Sequence, residues 1–565
     1  MNRKGIKLFT TLTVSIITGA IGGYSAIAFR ELIKLNRLIF SDLFGTDQNS
    51  YVYIVLLPLF LVLSRIVSKN FLKDTSNTTI NSVARNIAVK KGNLDYKKGI
   101  IAVILTSVHI GAGASVGREG PIAKLGGAIS SLFARIIPLS SNNIPLYATC
   151  GVSSAIAATF NAPIAGIIFG IEIILGKISI DILTPVTISV ITGTLISRFH
   201  LGNYPTIAVP HLAFSFRLLY LSLFASIIFA LYVLLFKKIA SSVGKLEKRF
   251  NINSYLLVAI IGLVVGTLIA FVPQIKGVGY SEIETIFTHS QTASFAFILS
   301  VTKLIATALI LGSNIFGGVF APSIFIGGFS GFFMGSLAGN TNPEAMAIIG
   351  AAAITSGIAN APLRSALIVI ELSQSYQLIL PILVGSVLTN YIASFFYSNS
   401  SSYRAILIKG FDISDAKLLK ILKNCRAGEF IKHVPLFQEE HTILQLKNTI
   451  EQSDAKYFPV IEQKKLIGIV SLRDIRMSWK IGDDRIKKIM TKKPKTLKTN
   501  SDGLDIMSYI SKMDVNLVPV INQKKEFEGM LNVDKFLKRI SMEYIYKTKS
   551  DPNLSQKKTT DQSAT

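Results

Sequence analysis

The chain has 565 residues, half of them hydrophobic and only 16% charged, with a formal net charge of +26. Soluble proteins carry roughly 25% charged residues, so most of this chain is not built for water. Its Lys and Arg residues lie between apolar runs and in the C-terminal part. That is the pattern of cytoplasmic membrane loops, and it argues against a nucleic-acid-binding surface.

Runs long enough to cross a bilayer, about 20 residues, begin near Leu8, Tyr51, Gly99, Ile182, Leu218, Leu256, Phe295, Gly331 and Leu378. Arg3, Lys4 and Lys7 precede the first run, which places the N-terminus in the cytoplasm. This run is too long for a signal peptide, and no cleavage site follows it. The runs at 147–175 and 345–372 are interrupted by Asn-Ala-Pro, which predicts broken helices; a bilayer tolerates these only where protein or a watery cavity satisfies the backbone. Cys150 and Cys425 fall in different regions and suggest neither a disulfide framework nor a metal site. The six histidines, His109 and His433 among them, show no ligand spacing and are expected to be structural.

A repeat is legible without a gap. Residues 151–172 align with 350–371, matching Gly151 with Gly350, Asn161-Ala162-Pro163 with Asn360-Ala361-Pro362, and Glu172 with Glu371. Upstream of each copy, at nearly the same distance, glycines lead into a proline and an apolar run. These are Gly117-Arg118-Glu119-Gly120-Pro121 and Gly317-Gly318-Val319-Phe320-Ala321-Pro322. Proline suits the first turn of a helix, where its missing N–H costs nothing. Both motifs therefore read as helix N-termini, which offer free N–H groups and the positive end of a dipole. Two such ends aimed at one point make an anion site without a fixed positive charge, and an ion that must also leave favours that design. Paired broken helices in a membrane repeat point to a transport site. The competing reading, that the glycines only allow close helix packing, suits a lone stretch better than two matched ones.

These residues resemble the CLC family of voltage-gated chloride channels and H+/Cl− exchange transporters, over nearly the whole chain. The segments at 117–121 and 317–322 are similar to two of the family's three anion motifs, and those at 160–172 and 360–372 to the segments that follow them. The resemblance implies that Glu119 is the gating glutamate: a carboxylate on a tether that blocks an anion site and, once protonated, swings away. The alternative for Glu119 is a structural ion pair with Arg118. By the same resemblance the backbone N–H groups of Val319 and Phe320 serve a central anion, and those of Arg118, Glu119 and Gly120 an outer one. Tyr403 supplies a hydroxyl to the central anion. The third motif, Gly-Ser-Gly-Ile-Pro, is replaced here by Asn77-Thr78-Thr79-Ile80-Asn81. Thr78 takes the serine position and keeps a hydroxyl; Ser76 or Thr79 would serve in a shifted register. Glu172 is followed by Ile173, where proton-coupled members have a second acid, and this favours a channel. Glu172 and Glu371 are expected to be structural. Asn314 and Phe316 also depart from the family pattern. A fluoride-selective exchanger is a remoter reading.

After about Gly410 two similar units appear. In each, a β-branched run, a turn containing Gln-Lys-Lys and a second apolar run predict a hairpin, at 457–471 and 517–531. Amphipathic helices at 442–452 and 503–512 precede them. The pattern resembles a tandem CBS pair, or Bateman module. Such pairs often bind adenine nucleotides, which would place Ser471 and Asp474 on the ribose; a packing and dimerisation module is the alternative.

The expected architecture is an all-α polytopic membrane domain, residues 1–408, with two inverted-topology repeats and broken helices. An α+β CBS pair follows over 409–546, in units of about 428–482 and 485–546, and a disordered tail over 547–565. The expected function is chloride transport across the plasma (inner) membrane, by H+/Cl− exchange or through a passive gated channel. Both termini are cytoplasmic and the protein is a homodimer with one pathway per subunit. No cofactor is required and no catalytic nucleophile with its base is evident. A transporter of another ion is a further alternative, but a cation site would want converging oxygen ligands.

Overall fold

The structure is a computed structural model. It describes residues 3–72, 83–84, 86–87, 92–137, 143–171, 180–210, 212–249, 252–288, 291–339, 342–397, 407–408, 411–412, 421–450, 457–477, 485–492, 494–512 and 517–549. Thr78 with its neighbours Ser76 and Thr79, Glu172, Ile173 and Tyr403 lie outside these residues, as do 550–565. The chain divides into two compact units, Met1–Asn399 and Ser400–Thr565.

The first unit is helical. In chain order its helices are α1 (Arg3–Phe44), α2 (Tyr53–Leu72), α3 (Tyr96–Gly111), α4 (Glu119–Ile136), α5 (Ile144–Phe160), α6 (Pro163–Phe169), α7 (Ile180–Leu201) and α8 (Phe216–Arg249). They continue as α9 (Ser254–Phe271), α10 (Tyr280–Thr288), α11 (Ala293–Gly312), α12 (Phe320–Leu337), α13 (Pro343–Ala359), α14 (Pro362–Ser373) and α15 (Ile379–Tyr397). Among the described residues, 8 helices are long and apolar enough to span a membrane.

Two of the expected spans are corrected. The run from Gly99 is a helix of only 16 residues, capped by the Asp95 carboxylate and ended at Gly111. Just beyond it, Gly113 takes a φ of 89° that other residues rarely adopt. The run from Gly331 begins eleven residues earlier, at Phe320, because Pro322 sits in the first turn of α12 instead of breaking it.

Asn-Ala-Pro breaks the chain in the same way twice. Asn161 ends α5 and Asn360 ends α13, with left-handed φ values of 51° and 52°. Asn tolerates that conformation better than other non-glycine residues. The following Ala is non-helical, and Pro163 and Pro362 open α6 and α14. Each Asn Oδ1 also accepts from a cation on a neighbouring helix: Arg198 Nε at 2.8 Å for Asn161, and Lys237 Nζ at 2.9 Å for Asn360.

The repeat extends to the packing. α4 crosses α5 where Gly126 meets Gly151, and α12 crosses α13 where Gly327 meets Gly350. At both crossings a carbonyl of one helix occupies the place of the missing β-carbon on the other. Small residues at such crossings let backbones approach, which in lipid replaces the hydrophobic drive between helices.

The second unit holds two similar halves. β4 (Tyr457–Glu462) and β5 (Lys465–Ser471) form one antiparallel hairpin; β8 (Leu517–Ile521) and β9 (Phe527–Asn532) form the other. Gln463 and Lys464 turn the first with φ of 45° and 67°, the geometry of a two-residue type I′ loop. The halves exchange edges: β3 (Ile431–Lys432) pairs with β9, and β6 (Thr491–Lys492) pairs with β5. β7 (Leu497–Lys498) runs parallel to β8, as the Phe437 bridge does to Val460 in the other half. Helices α16 (Ile443–Ile450) and α18 (Gly503–Lys512) stand where the amphipathic pattern put them. The last helix, α19 (Val533–Lys549), runs past the expected start of the tail at 547.

Gly350→Ala would drive a β-carbon onto the Gly327 carbonyl and the Gly331 backbone, whereas Gly328→Ala, on the face of α12 turned to α10, meets only the side-chain carbons of Ile286 and Ile283 at 3.6 Å and beyond. Gly350→Ala is expected to cost about 1–3 kcal/mol and to lower the thermal midpoint of the detergent-solubilised protein. Gly328→Ala is expected to leave that midpoint in place.

Candidate anion site

The two glycine motifs meet. Gly117 N–H donates to the Gly318 carbonyl at 2.7 Å and Gly318 N–H donates to the Gly117 carbonyl at 2.6 Å, in an antiparallel bridge. This is the direction expected for inverted repeats. The bridge sets the N-terminus of α4 beside that of α12. Arg118 and Val319, the residues that precede these helices, give no side-chain cap to either.

Glu119 supplies one instead. Phe320 N–H donates to Glu119 Oε1, so the carboxylate of the first repeat caps the helix of the second. Its other oxygen, Oε2, is buried with no hydrogen-bond partner among the described residues. The side chain is 2% exposed. A β-carbon on Gly318 or on Gly117 would run into this carboxylate. That gives these two glycines a reason beyond backbone freedom: they leave the hollow that the carboxylate fills. The Phe320 ring packs against Phe160, with centroids 5.4 Å apart.

Arg118 forms no ion pair with Glu119. Its Nη2 donates to the Thr159 carbonyl at 3.2 Å and its guanidinium lies 5.5 Å from the centre of the Tyr280 ring. The ion-pair alternative for Glu119 is thereby removed, and the carboxylate is held by backbone.

The second intramembrane acid, Glu371, mirrors this arrangement. Its two oxygens accept from Ile164 N–H at 3.0 Å and Ala165 N–H at 2.8 Å, so α14 caps the first turn of α6. A carboxylate from each repeat caps a helix of the other.

Side chains outside the two motifs fix the loop before Gly317. Buried Arg65 on α2 donates to the Ser313 carbonyl, and His109 Nδ1 lies 3.0 Å from the Phe316 carbonyl. Asn314, between them, adopts a φ of 58°, so its departure from the family pattern is a turn residue tolerant of left-handed backbone. Lys303 on α11 is fully buried and donates to the Ile275 and Gly277 carbonyls at 2.8 and 2.7 Å. Gly277 N–H in turn donates to Gly113 at 3.1 Å, in the loop before Gly117. Arg65 and Lys303 escaped the sequence reading, although a cation inside an apolar run is a usable signal.

In the second unit, Ser471 and Asp474 are brought together, but as a helix cap. Ser471 Oγ and N–H both donate to Asp474 Oδ2, at 2.7 and 2.8 Å, at the start of the helix α17 (Leu472–Met477). A ribose at these residues would compete with that cap. A cleft of about 720 Å³ in this unit lies elsewhere, bordered by Arg426, Thr499, Asn522 and Glu528.

Gly318→Ala tests whether an ion takes the place of the carboxylate. In a Glu119→Ala background the added β-carbon is expected to weaken chloride binding about tenfold or more, the size of a 1–3 kcal/mol overpacking cost. Isothermal titration of the purified protein reads this. Unchanged affinity would mean that the ion sits somewhere other than the carboxylate's place.

Comparison with known proteins agrees with this architecture. Residues 59–394 match the family model described as voltage gated chloride channel, and residues 427–479 and 486–542 match the CBS domain. A putative chloride channel protein ClcB-like from Ralstonia nicotianae is 29% identical over 429 residues, covering 71% of this chain and 97% of its own. The H(+)/Cl(−) exchange transporter ClcA of Vibrio cholerae is 31% identical over 405 residues, covering 67% of this chain and 84% of its own. A slow cyanobacterial Cl−/H+ antiporter shares the fold with a TM-score of 0.60 at 21% identity, over 69% of this chain and 95% of that one. The chain is a multi-pass membrane protein of the CLC family, carrying a tandem CBS pair behind its membrane domain.

Proposed function

We propose that the protein carries chloride across the membrane past the junction of the α4 and α12 N-termini, with Glu119 as the gate. The observation that carries this reading is the Glu119 carboxylate on the Phe320 N–H, at the junction of the two repeats. A carboxylate oxygen and a chloride compete for the same donor and the same hollow. Protonation removes the charge that holds Glu119 there, and the neutral side chain yields its place to the ion. At α12 the ion is held by helix-end N–H groups rather than by a Lys or Arg, and is bound weakly enough to leave.

In this reading Arg118, Glu119 and Gly120, at the α4 N-terminus, serve the outer position, and Val319 and Phe320, at that of α12, serve the central one, on their sequence match to the family motifs. Thr78 and Tyr403 complete the central position in this reading, on their sequence match alone.

Exchange of chloride against protons is the first form of this function, because it needs only Glu119 to alternate between proton and chloride. A passive channel is the second, favoured by Ile173, which cannot pass a proton inward from the gate. The junction is built from residues of one chain, so a homodimer would hold two independent pathways. The basic residues at the N-terminus support a cytoplasmic face for both termini, in the plasma (inner) membrane. A nucleotide at Ser471 and Asp474 would be regulatory.

The test is chloride flux from proteoliposomes with simultaneous recording of external pH. Wild-type flux is expected to rise on acidification, and Glu119→Ala is expected to conduct with little dependence on pH. Uphill proton movement driven by a chloride gradient in wild type, lost in Glu119→Ala, identifies an exchanger. Chloride flux without it in either protein identifies a channel. Flux of fluoride but not chloride would overturn the chloride assignment.

A further inference from the structure

Beside the gate lies a pair of donors with no acceptor. Tyr280 opens α10, and its hydroxyl is buried with no hydrogen-bond partner among the described residues. Arg118 Nε is also buried and without a partner among them, although its Nη2 is engaged by Thr159. The guanidinium lies over the phenol ring, 5.5 Å from its centre. Arg118 and Glu119 are the charged groups that act on the phenol.

Orphaned donors of this kind are rare in folded proteins and call for a water or an ion as partner. Here one donor carries a positive charge, and among the described residues no carboxylate forms an ion pair with it. An anion answers both deficits at once, whereas water answers only the hydrogen bonds.

The position of Tyr280 is not accidental slack. The segment before it is tied down by Lys303 through the Ile275 and Gly277 carbonyls, and by Gly277 N–H to Gly113. Gly279 has a φ of 89° and no room for a β-carbon against the Phe325 ring. A phenol fixed this firmly, with its hydroxyl left unpaired, is placed for a ligand that comes and goes.

We propose that the Tyr280 hydroxyl and Arg118 Nε together bind a small inorganic anion next to Glu119, and that Tyr280 thereby serves as a selectivity-determining ligand of the pathway. The inference rests on the transport reading above and adds to it a residue and a side-chain donor pair. A hydrogen bond from a neutral hydroxyl favours ions that accept strongly, so Tyr280 would weight the site toward compact halides over large, weakly accepting anions.

The test is chloride titration of the full-length protein in detergent, comparing Glu119→Ala with Glu119→Ala carrying Tyr280→Phe. Phenylalanine keeps the ring under Arg118 and removes only the hydroxyl. About tenfold weaker chloride binding in the double variant is expected, the size of one hydrogen bond to a charged group. Thiocyanate binding is expected to change less. Equal chloride affinity in the two proteins would overturn the proposal and leave water as the partner of Tyr280. If Glu119→Ala is folded by its thermal midpoint yet binds no chloride, the transport reading fails and the Tyr280 inference with it.

Discussion

A helix that begins inside a membrane protein has N–H groups that water cannot reach. Each must find an acceptor, because an unsatisfied polar group in such surroundings costs several kcal/mol. This fold starts helices there repeatedly, and it meets the requirement by crossing over. Glu119 caps α12 and Glu371 caps α6, each from the opposite repeat. Charge-assisted bonds to backbone N–H are about twice as strong as neutral ones, so both carboxylates hold their helices firmly while ionised.

The two caps differ in how easily they can be replaced. Glu371 spends both oxygens on two N–H groups, and it lies in the last turn of α14. Glu119 spends one oxygen, leaves the other unpartnered, and sits in a hollow that two glycines keep open. A small anion can supply all that Glu119 supplies to α12. It cannot easily supply the two-oxygen grip of Glu371. The same device is therefore a fixed joint in one place and, on the proposed function, a removable plug in the other, and the difference lies in the space the neighbouring residues leave around the carboxylate.

Much of this was legible in the chain. Asn161-Ala162-Pro163 and its mate announce a left-handed cap followed by a helix start, because few residues other than Asn accept that backbone and Pro opens a helix without loss. The glycine motifs announce helix N-termini for similar local reasons. What the chain could not reveal is non-local. The bridge between Gly117 and Gly318 joins loops 201 residues apart, and no local rule connects them. His109 read as an ordinary structural histidine, and it is one, but its task of fixing the Phe316 carbonyl depends on α3 lying against that loop. Tyr280 carries no signal at all in sequence, since a tyrosine after Gly-Val-Gly is unremarkable until Arg118 is found over its ring. The span expected at Gly99 failed for a related reason: apolar length alone does not register a cap at Asp95 or a turn at Gly113.

On the proposed function, gating and coupling follow from one competition. If the ion and the Glu119 carboxylate exclude each other at α12, then protonating Glu119 raises the affinity for the ion. By linkage the ion must raise the proton affinity of Glu119 by the same factor. This holds for a channel as much as for an exchanger. The two differ only in where the proton can go once it is bound. With a second acid beyond Glu172 it would pass to the other side; with Ile173 there, it must return the way it came unless water carries it. The identity of the transporter thus turns on the wetness of the path behind Glu119, while the gate itself serves either machine unchanged.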